Sequence, residues 1–227
     1  MLRNGISCLV ALLAAMAVAS ATASAASESY ANFTPIKMDA KGKASPYPSS
    51  VSVQGRTGRV TDVAVTLRGF EHERPADVDV LLVAPSGEKA IVFADACGAT
   101  PHESVNLTIF ERAGAGDIPD TGPCDQGVYA PANHPGLDSW PNTSDFDTVA
   151  DLDRFERELP NGQWSLYVID DRTDKVGRIG SGWSLTLVTE PVDTLVPGVR
   201  GDIADRYPLT QTVTQGGVVT DVDVSLN

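Results

Sequence analysis

Basic residues are scarce in this sequence of 227 residues, since 17 lysines and arginines stand against 30 aspartates and glutamates, giving a formal net charge of −13. The lysines and arginines form neither a cluster nor a stripe. Nucleic acid binding needs a positive surface facing the phosphates, so this deficit argues against a nucleic acid partner. Carboxylates in loops favour divalent cations instead.

Aromatic residues are also few, at 6% of the chain, whereas 20 glycines and 15 prolines are spread along its length. This composition is typical of many short strands joined by tight turns, and it disfavours long helices. We therefore expect an all-β fold with enough chain for one sizeable core.

The apolar run from Ile6 to Val18 is too short to span a bilayer comfortably. It follows the basic Arg3, and Ala23-Ser24-Ala25 after it fits a signal-peptidase site. We predict that residues 1–25 are a cleaved signal peptide, with a retained membrane anchor as the alternative. The expected location is extracellular, with no membrane span after cleavage.

Cysteine is limited to three residues, and Cys8 lies in the predicted signal. The remaining Cys97 and Cys124 would meet an oxidising compartment, which predicts one disulfide, with two free thiols as the alternative. A metal site at these cysteines is not expected, because no CxxC motif or nearby histidine pair supplies further ligands.

Residues 26–45 have no sustained period and are predicted to be a leader or linker. From Tyr47 onward, apolar and polar residues alternate, and Thr61, Val63, Val65 and Leu67 form the expected buried face of one strand. The segment "DVDVLLVAPSGEKAIVFAD" predicts a hairpin around Pro85-Ser86-Gly87.

A further strand is predicted at "ESVNLTIFE", followed by a long excursion over residues 112–148. The segment "LDRFERELP" fits either a strand or a short helical turn. Two clear strands follow, "GQWSLYVIDD" and "GSGWSLTLVTE", whose Trp164 and Trp183 are expected in the core. Trp140, on the excursion, is the better candidate for an exposed aromatic residue.

One motif recurs: "VTDVAVTL" at 60–67 returns as "VTDVDVSL" at 219–226, with six of eight positions identical. Tyr47-Pro48 precedes the first copy and Tyr207-Pro208 the second, at nearly the same spacing. Chance similarity is the alternative to a tandem array of whole domains. The repeat predicts a linker over residues 191–206 and the start of a second domain over residues 207–227.

Two segments resemble the P domain, or Homo B domain, that accompanies subtilisin-like proprotein convertases and many secreted bacterial proteases. They are "VTDVAVTLRGFEHERPADVDVLLVAPSGEKAIVF" and "PNGQWSLYVIDDRTDKVGRIGSGWSLTLV". The matching features are His72, the strand Asp77 to Val83, the turn Ala84-Pro85-Ser86-Gly87, Asn161-Gly162, Trp164, Asp170, Gly177 and Trp183-Ser184-Leu185.

The resemblance implies a jelly-roll β-sandwich over residues 46–190, similar to galactose-binding-like domains. It also implies a module that assists a serine-type endopeptidase and is not itself the protease. Two features depart from the family: Glu88 stands where a hydroxyl residue usually follows the turn glycine, and the stretch carrying the two cysteines is longer than expected.

No subtilisin-like setting surrounds the histidines His72, His102 and His134, and Ser181 precedes a strand tryptophan rather than a helix. We therefore expect no catalytic residues. His72 is expected to be a packed, hydrogen-bonded residue, with a ligand or general base as the alternative.

The loop "DDRTDKVG" is the best candidate metal site, because three carboxylates within five positions suit calcium. Calcium needs six to eight oxygens, so carbonyls or distant carboxylates would contribute. The alternative is an exposed hairpin partly neutralised by Arg172 and Lys175. The predicted ligands are Asp170, Asp171, Asp174, Asp77 and Asp79, and a weaker second set is Asp145, Asp147, Asp151 and Asp153.

Three functions follow from these patterns. The first is a secreted, non-catalytic P-domain-like module serving a serine endopeptidase or a multidomain surface protein. The second is a carbohydrate- or protein-binding jelly roll with calcium-stabilised loops. The third is a metal-free structural spacer.

Overall fold

The computed structural model describes residues 25–111, 114–136, 140 and 149–191. Residues 1–24 of the predicted signal peptide, the linker beyond Pro191 and the second copy lie outside the described residues. Across the described ranges, strands form two mixed sheets, and helical structure is limited to two 3₁₀ turns, Pro75–Asp77 and Leu152–Phe155. The prediction of an all-β sandwich is confirmed.

The first sheet is centred on one long strand. Its order is β1 (Ala26–Asn32), β13 (Trp183–Glu190), β5 (Arg59–His72), β12 (Gly177–Ile179) and β2 (Ile36–Met38), with β8 (His102–Phe110) on β5 and β9 (Gly127–Tyr129) on β8. Because β12 and β13 follow each other along one side of β5, the loop between β11 and β12 lies near the end of that long strand.

The second sheet packs against the first. Its order is β10 (Ala132–Asn133), β7 (Lys89–Ala94), β6 (Val78–Val83), β11 (Gly162–Asp170) and β3 (Gly42–Lys43), with β4 (Ser49–Val53) also on β11. Strands β6 and β7 form the predicted antiparallel hairpin. Both sheets are mixed, because β8 pairs with β9 and β7 with β10 in parallel.

The core between the sheets contains the two predicted tryptophans. Trp164 and Trp183 are fully buried. Their indole nitrogens donate to the Pro160 carbonyl oxygen and to Ser49 Oγ, at 2.9 Å in both cases. A buried indole needs such a partner for its N–H group, so these side chains combine large apolar burial with satisfied polarity.

The second sheet is buried on its outer face as well. Leu81, Ile91 and Ile169 lie there and form an apolar cluster with Trp140, which is 8% exposed. The expectation of an exposed Trp140 is therefore wrong. An outward face this apolar needs a cover, and β6 and β7 are accordingly near-continuous apolar runs rather than alternating ones.

Residues 26–45 are part of the sandwich, so their prediction as a leader or linker is wrong. β1 pairs with β13 over seven residues, β2 pairs with β12, and β3 pairs with β11. Ile36 and Met38 are at most 1% exposed. Strands of two or three residues are too short to show a period in the sequence.

A β-bulge in β5 changes which residues face the core. Val63, Val65 and Leu67 point inward, but beyond the bulge Phe70 and His72 do so. Gly69, at φ 67°, adopts a conformation that glycine accommodates without strain, and its N–H donates to Asn106 Oδ1 at 2.9 Å. The extra residue shifts the alternation by one, so His72 lies inside the sandwich.

Candidate functional site: a buried histidine and carboxylate cluster

The inward faces of the two sheets meet in a polar pair at one end of the core. Asp170 ends the inward row of β11 that contains Trp164, Leu166 and Val168, and His72 ends that of β5. Nε2 of His72 lies 3.1 Å from Oδ2 of Asp170, and both side chains are fully buried. The pair links the sheets where the apolar core stops.

The second ring nitrogen of His72 is also engaged. Nδ1 lies 2.7 Å from the Arg74 carbonyl oxygen, and the other carboxylate oxygen of Asp170 accepts the Arg172 N–H at 2.8 Å. The expectation of a packed, hydrogen-bonded His72 agrees with these contacts. A general base needs a lone pair directed at its substrate, and here both nitrogens face protein atoms.

Asp77 lies beside this pair and is 1% exposed. Its Oδ1 is 3.0 Å from Nε of Arg74, while Oδ2 is buried and makes no hydrogen bond within the described part of the chain. Burial raises the pKa of the Asp77 carboxyl above its usual value; Arg74 opposes this shift, and the charges of Asp170 and Asp171 add to it.

The predicted metal ligands divide into two groups. Asp77, Asp170 and Asp171 are neighbours. The Asp171 N–H donates to the Asp77 carbonyl oxygen at 2.9 Å, and the charges of the Asp170 and Asp171 carboxylates raise the pKa of the Asp77 carboxyl. Asp79 is buried but is the register partner of Ile169, on the face of the sheet opposite to Asp170. Asp174 has a 67% exposed side chain, 3.9 Å from Nζ of Lys175.

The second predicted acidic set is only partly described. Asp145 and Asp147 lie outside the described residues. Asp151 caps the 3₁₀ turn Leu152–Phe155, because its side chain accepts the Asp153 N–H at 2.9 Å. This local role accounts for one of the four carboxylates without a cation.

Glycines of the family-like motifs hold the cluster in place. A Cβ at Gly177 would collide with the His72 ring and would lie 2.5 Å from the Glu71 carbonyl oxygen. A Cβ at Gly162 would lie 2.6 Å from Pro85 Cβ, in the turn between β6 and β7. In both places a strand from the second motif segment rests directly on a residue of the first.

The departure at Glu88 has a local explanation. The turn closes through hydrogen bonds between Ala84 and residues 87 and 88, as a tight hairpin does. Oε1 of Glu88 lies 2.8 Å from Nε of Arg154 in the second 3₁₀ turn. The carboxylate therefore connects the hairpin to that turn, an interaction that a hydroxyl is too short to make.

The two cysteines lie together, with Sγ atoms 1.95 Å apart and Cα atoms 5.0 Å apart, a spacing that suits a disulfide. Their neighbour His102, which the sequence pattern did not indicate as a ligand, has a ring nitrogen within 4.8 Å of both sulfurs. The only signal was the short spacing from Cys97 to His102. Within the described ranges, no other three Cys, His, Asp or Glu ligand atoms converge this closely.

A cleft of about 370 Å³ opens at this end of the sandwich. Its lining includes His72 and His102, the acidic Glu71 and Glu73, and Arg178. Nε of Arg178 lies 2.6 Å from Glu71 Oε1, so part of the acidic rim is neutralised. No helix among the described residues is long and apolar enough to cross a bilayer.

Comparisons with known proteins show a structural likeness at low sequence identity. No family model matches the chain, and no curated protein matches it significantly. A chain in the crystal structure of the complex between Aeromonas sobria serine protease and its chaperone matches with 13% identity and a TM-score of 0.32. The match covers 74% of this chain and 27% of that one, and a similarity this low does not bear on function.

Proposed function

We propose that this chain is a secreted, non-catalytic β-sandwich module of the P-domain kind, which binds and stabilises a subtilisin-like serine endopeptidase domain. The observation that carries the proposal is the contact between the two family-like segments. His72 and Pro85 belong to the first segment, while Asp170, Gly177 and Gly162 belong to the second, and these residues touch in matched sets. These contacts agree with the resemblance, in which both segments belong to one domain.

The chemistry of the cluster favours a structural role over catalysis. Both nitrogens of His72 are held by protein atoms, and the imidazole is fully buried. A triad needs a nucleophile within hydrogen-bond reach of its base. The cluster instead ties the end of β5 to the end of β11, and a rigid sandwich end of this kind suits a module that acts by docking.

Stabilisation by such a module follows from mass action. A partner that binds the folded protease and not the unfolded one raises the free energy of unfolding in proportion to the logarithm of its concentration over Kd. Such stabilisation requires no catalytic residue in the module. This agrees with the complete burial of the His72–Asp170 pair, which leaves neither side chain accessible to a substrate.

Calcium is a further proposal, restricted by the geometry. Asp77 would be the first ligand, because its buried Oδ2, which makes no hydrogen bond among the described residues, suits a cation. The carboxylates of Asp170 and Asp171 lie nearby but do not converge with it within 4.8 Å, so they would have to turn toward the ion to bind it. Asp79 and Asp174 would not contribute.

Thermal unfolding with and without the ion tests this proposal. Millimolar calcium should raise the Tm of the chain, and a chelator should reverse the rise. Asp77→Asn should abolish this calcium-dependent shift, whereas Asp174→Asn should keep it. An unchanged wild-type Tm would refute calcium binding.

The carbohydrate-binding alternative has lost the aromatic residue that motivated it, because Trp140 packs on the outer face of the second sheet. Trp164 and Trp183 are core residues. No aromatic side chain of the three tryptophans is therefore left on the surface to stack on a sugar.

The proposal is tested by capture of a protease. The tagged full-length chain is mixed with the secreted proteins of its own source, recovered, and treated with a fluorophosphonate that labels active serine hydrolases. We expect a labelled protein to be recovered with the chain and the chain itself to stay unlabelled. Gly180→Ala, at an uncrowded position, is the matched bait control and should capture equally. Label on the chain itself, or no labelled protein, would refute the proposal.

A further inference from the structure

Three side chains that the proposed function does not use meet at the cleft end of the sandwich. The Sγ atoms of Cys97 and Cys124 and a ring nitrogen of His102 all lie within 4.8 Å of one another. They come from the loop after β7, the segment before β9 and the start of β8. Thiolate sulfur and imidazole nitrogen are the ligands that zinc and related borderline ions prefer.

His102 has an unsatisfied nitrogen. Its Nε2 is buried and makes no hydrogen bond within the described part of the chain. The ring is held edge-on to Phe70, with centroids 6.3 Å apart, so its position is defined by packing. A buried polar atom without a partner is destabilising, and coordination to a metal ion would satisfy it.

The backbone keeps the two cysteine segments together without help from the sulfurs. The Cys97 N–H donates to the Pro119 carbonyl oxygen at 2.7 Å, and the Gly98 N–H donates to the Asp120 carbonyl oxygen at 3.0 Å. The segments approach so closely that a Cβ at Gly98 would lie 2.7 Å from the Gly122 nitrogen. The two sulfurs therefore stay neighbours when no bond joins them.

The cleft gives an ion a route to this position. His102 is one of its lining residues, together with Glu73, whose carboxylate attracts cations, whereas Glu71 is paired with Arg178. Ligand atoms around a tetrahedral zinc are about 3.3–3.8 Å apart, given metal–ligand distances of about 2.0–2.3 Å.

We propose that, in the dithiol form in which the chain is synthesised, Cys97, Cys124 and His102 bind a zinc-class divalent ion, so that metal binding and disulfide formation are alternative states of one site. On binding, the two thiols release two protons to solvent, and both sulfurs and one imidazole nitrogen donate electron pairs to the ion. A water molecule fills the fourth position.

Oxidation of the two thiolates to the disulfide would release the bound ion. The two thiolates give two electrons to a disulfide-bearing oxidant, the Sγ–Sγ bond forms, and the ion leaves because its sulfur ligands are gone. The oxidant takes up two protons from solvent and becomes a dithiol. The site would thus hold metal before oxidation and a disulfide after it.

Metal titration of the full-length chain tests the proposal, with Cys8→Ser present throughout so that two thiols remain. The chain is reduced with a phosphine under anaerobic conditions and titrated with Co²⁺, followed by displacement with Zn²⁺. We expect one equivalent of Co²⁺ with thiolate-to-cobalt charge-transfer absorption in the reduced chain, and none in the oxidised chain. His102→Ala should weaken binding by at least about tenfold, since loss of a mere second-shell partner already costs about 10- to 100-fold.

His134→Gln is the matched control, because His134 Nε2 already contacts the Ile118 carbonyl oxygen at 2.8 Å. The affinity of this variant for Co²⁺ should equal that of the unsubstituted chain. Circular dichroism of each reduced variant reports whether the sandwich persists. Protection of both thiols from alkylation by Zn²⁺ gives a second measurement that does not need the His102 variant. Absence of cobalt binding by the reduced chain, equal affinity in His102→Ala, or loss of the folded spectrum on reduction would each overturn the proposal.

Discussion

His72 Nε2 lies 3.1 Å from Asp170 Oδ2, a contact that joins the inward rows of the two sheets where the apolar core ends. Asp170→Ala would leave a buried imidazole nitrogen and the Arg172 N–H without their partner. We expect the free energy of unfolding in urea to fall by about 1–3 kcal/mol. Asp174→Ala, in the same loop but exposed, should change it by less than about 0.5 kcal/mol. Equal effects of the two substitutions would contradict this role.

Gly177 has no room for a side chain, because the His72 ring and the Glu71 carbonyl oxygen occupy the space. Gly177→Ala should therefore lower the free energy of unfolding by about 1–3 kcal/mol or more, as overpacking does. Gly180→Ala is the comparison, since its nearest neighbours would be 3.5 Å from the added Cβ. It should change stability by less than about 1 kcal/mol. A tolerated Gly177→Ala would show that this approach is not required.

Asp77 predicts a pH dependence with a definite sign. Its folded-state pKa is raised by burial, so its favourable contribution to stability is complete below the pKa of an unfolded aspartate and is lost as the pH rises through the folded value. Asp77→Asn does not ionise. With a chelator present, the Tm of this variant relative to wild type should increase between about pH 3 and about pH 7. A Tm difference that is constant with pH would contradict the assignment.

The N-terminal strands predict the behaviour of shortened chains. A chain of residues 46–191 lacks the buried Ile36 and Met38 and uncovers the edge of β13, which β1 otherwise pairs. Compared with residues 25–191, it should lose about 3 kcal/mol or more of unfolding free energy, and it should associate through the uncovered edge. Urea unfolding and light scattering measure these effects. Equal stability of the two chains would restore the leader interpretation.

Some elements of this fold can be predicted from the sequence because the residues that specify them are close together in the chain. Pro85 and Gly87 mark the hairpin, and alternation along residues 162–170 identifies a strand with Trp164 inside. The strands in residues 26–45 cannot be predicted from the sequence in this way, because a strand such as Gly42–Lys43 is defined by its pairing with β11 rather than by its own pattern. The burial of Trp140 is not predictable from its own segment for a related reason, since it depends on the apolar outer face of the second sheet.

The candidate site shows the same division. The spacing of Asp170 and Asp171 in one loop predicts that they are neighbours, but it does not reveal that Asp79 faces the other side of the sheet. The inward position of His72 depends on the bulge at Gly69, which changes the strand's alternation. His102 joins Cys97 and Cys124 through tertiary structure alone. Clusters built across sheets are therefore the part that the sequence leaves undetermined.

The central claim, that this module stabilises a serine endopeptidase without chemistry of its own, is tested most directly by the heat inactivation of the protease that it captures. The half-life of that protease's activity is measured at a fixed elevated temperature with increasing amounts of the full-length chain. We predict that the half-life lengthens with concentration and saturates, as binding to the folded protease requires. A half-life that does not change at any concentration of the folded chain would contradict the account.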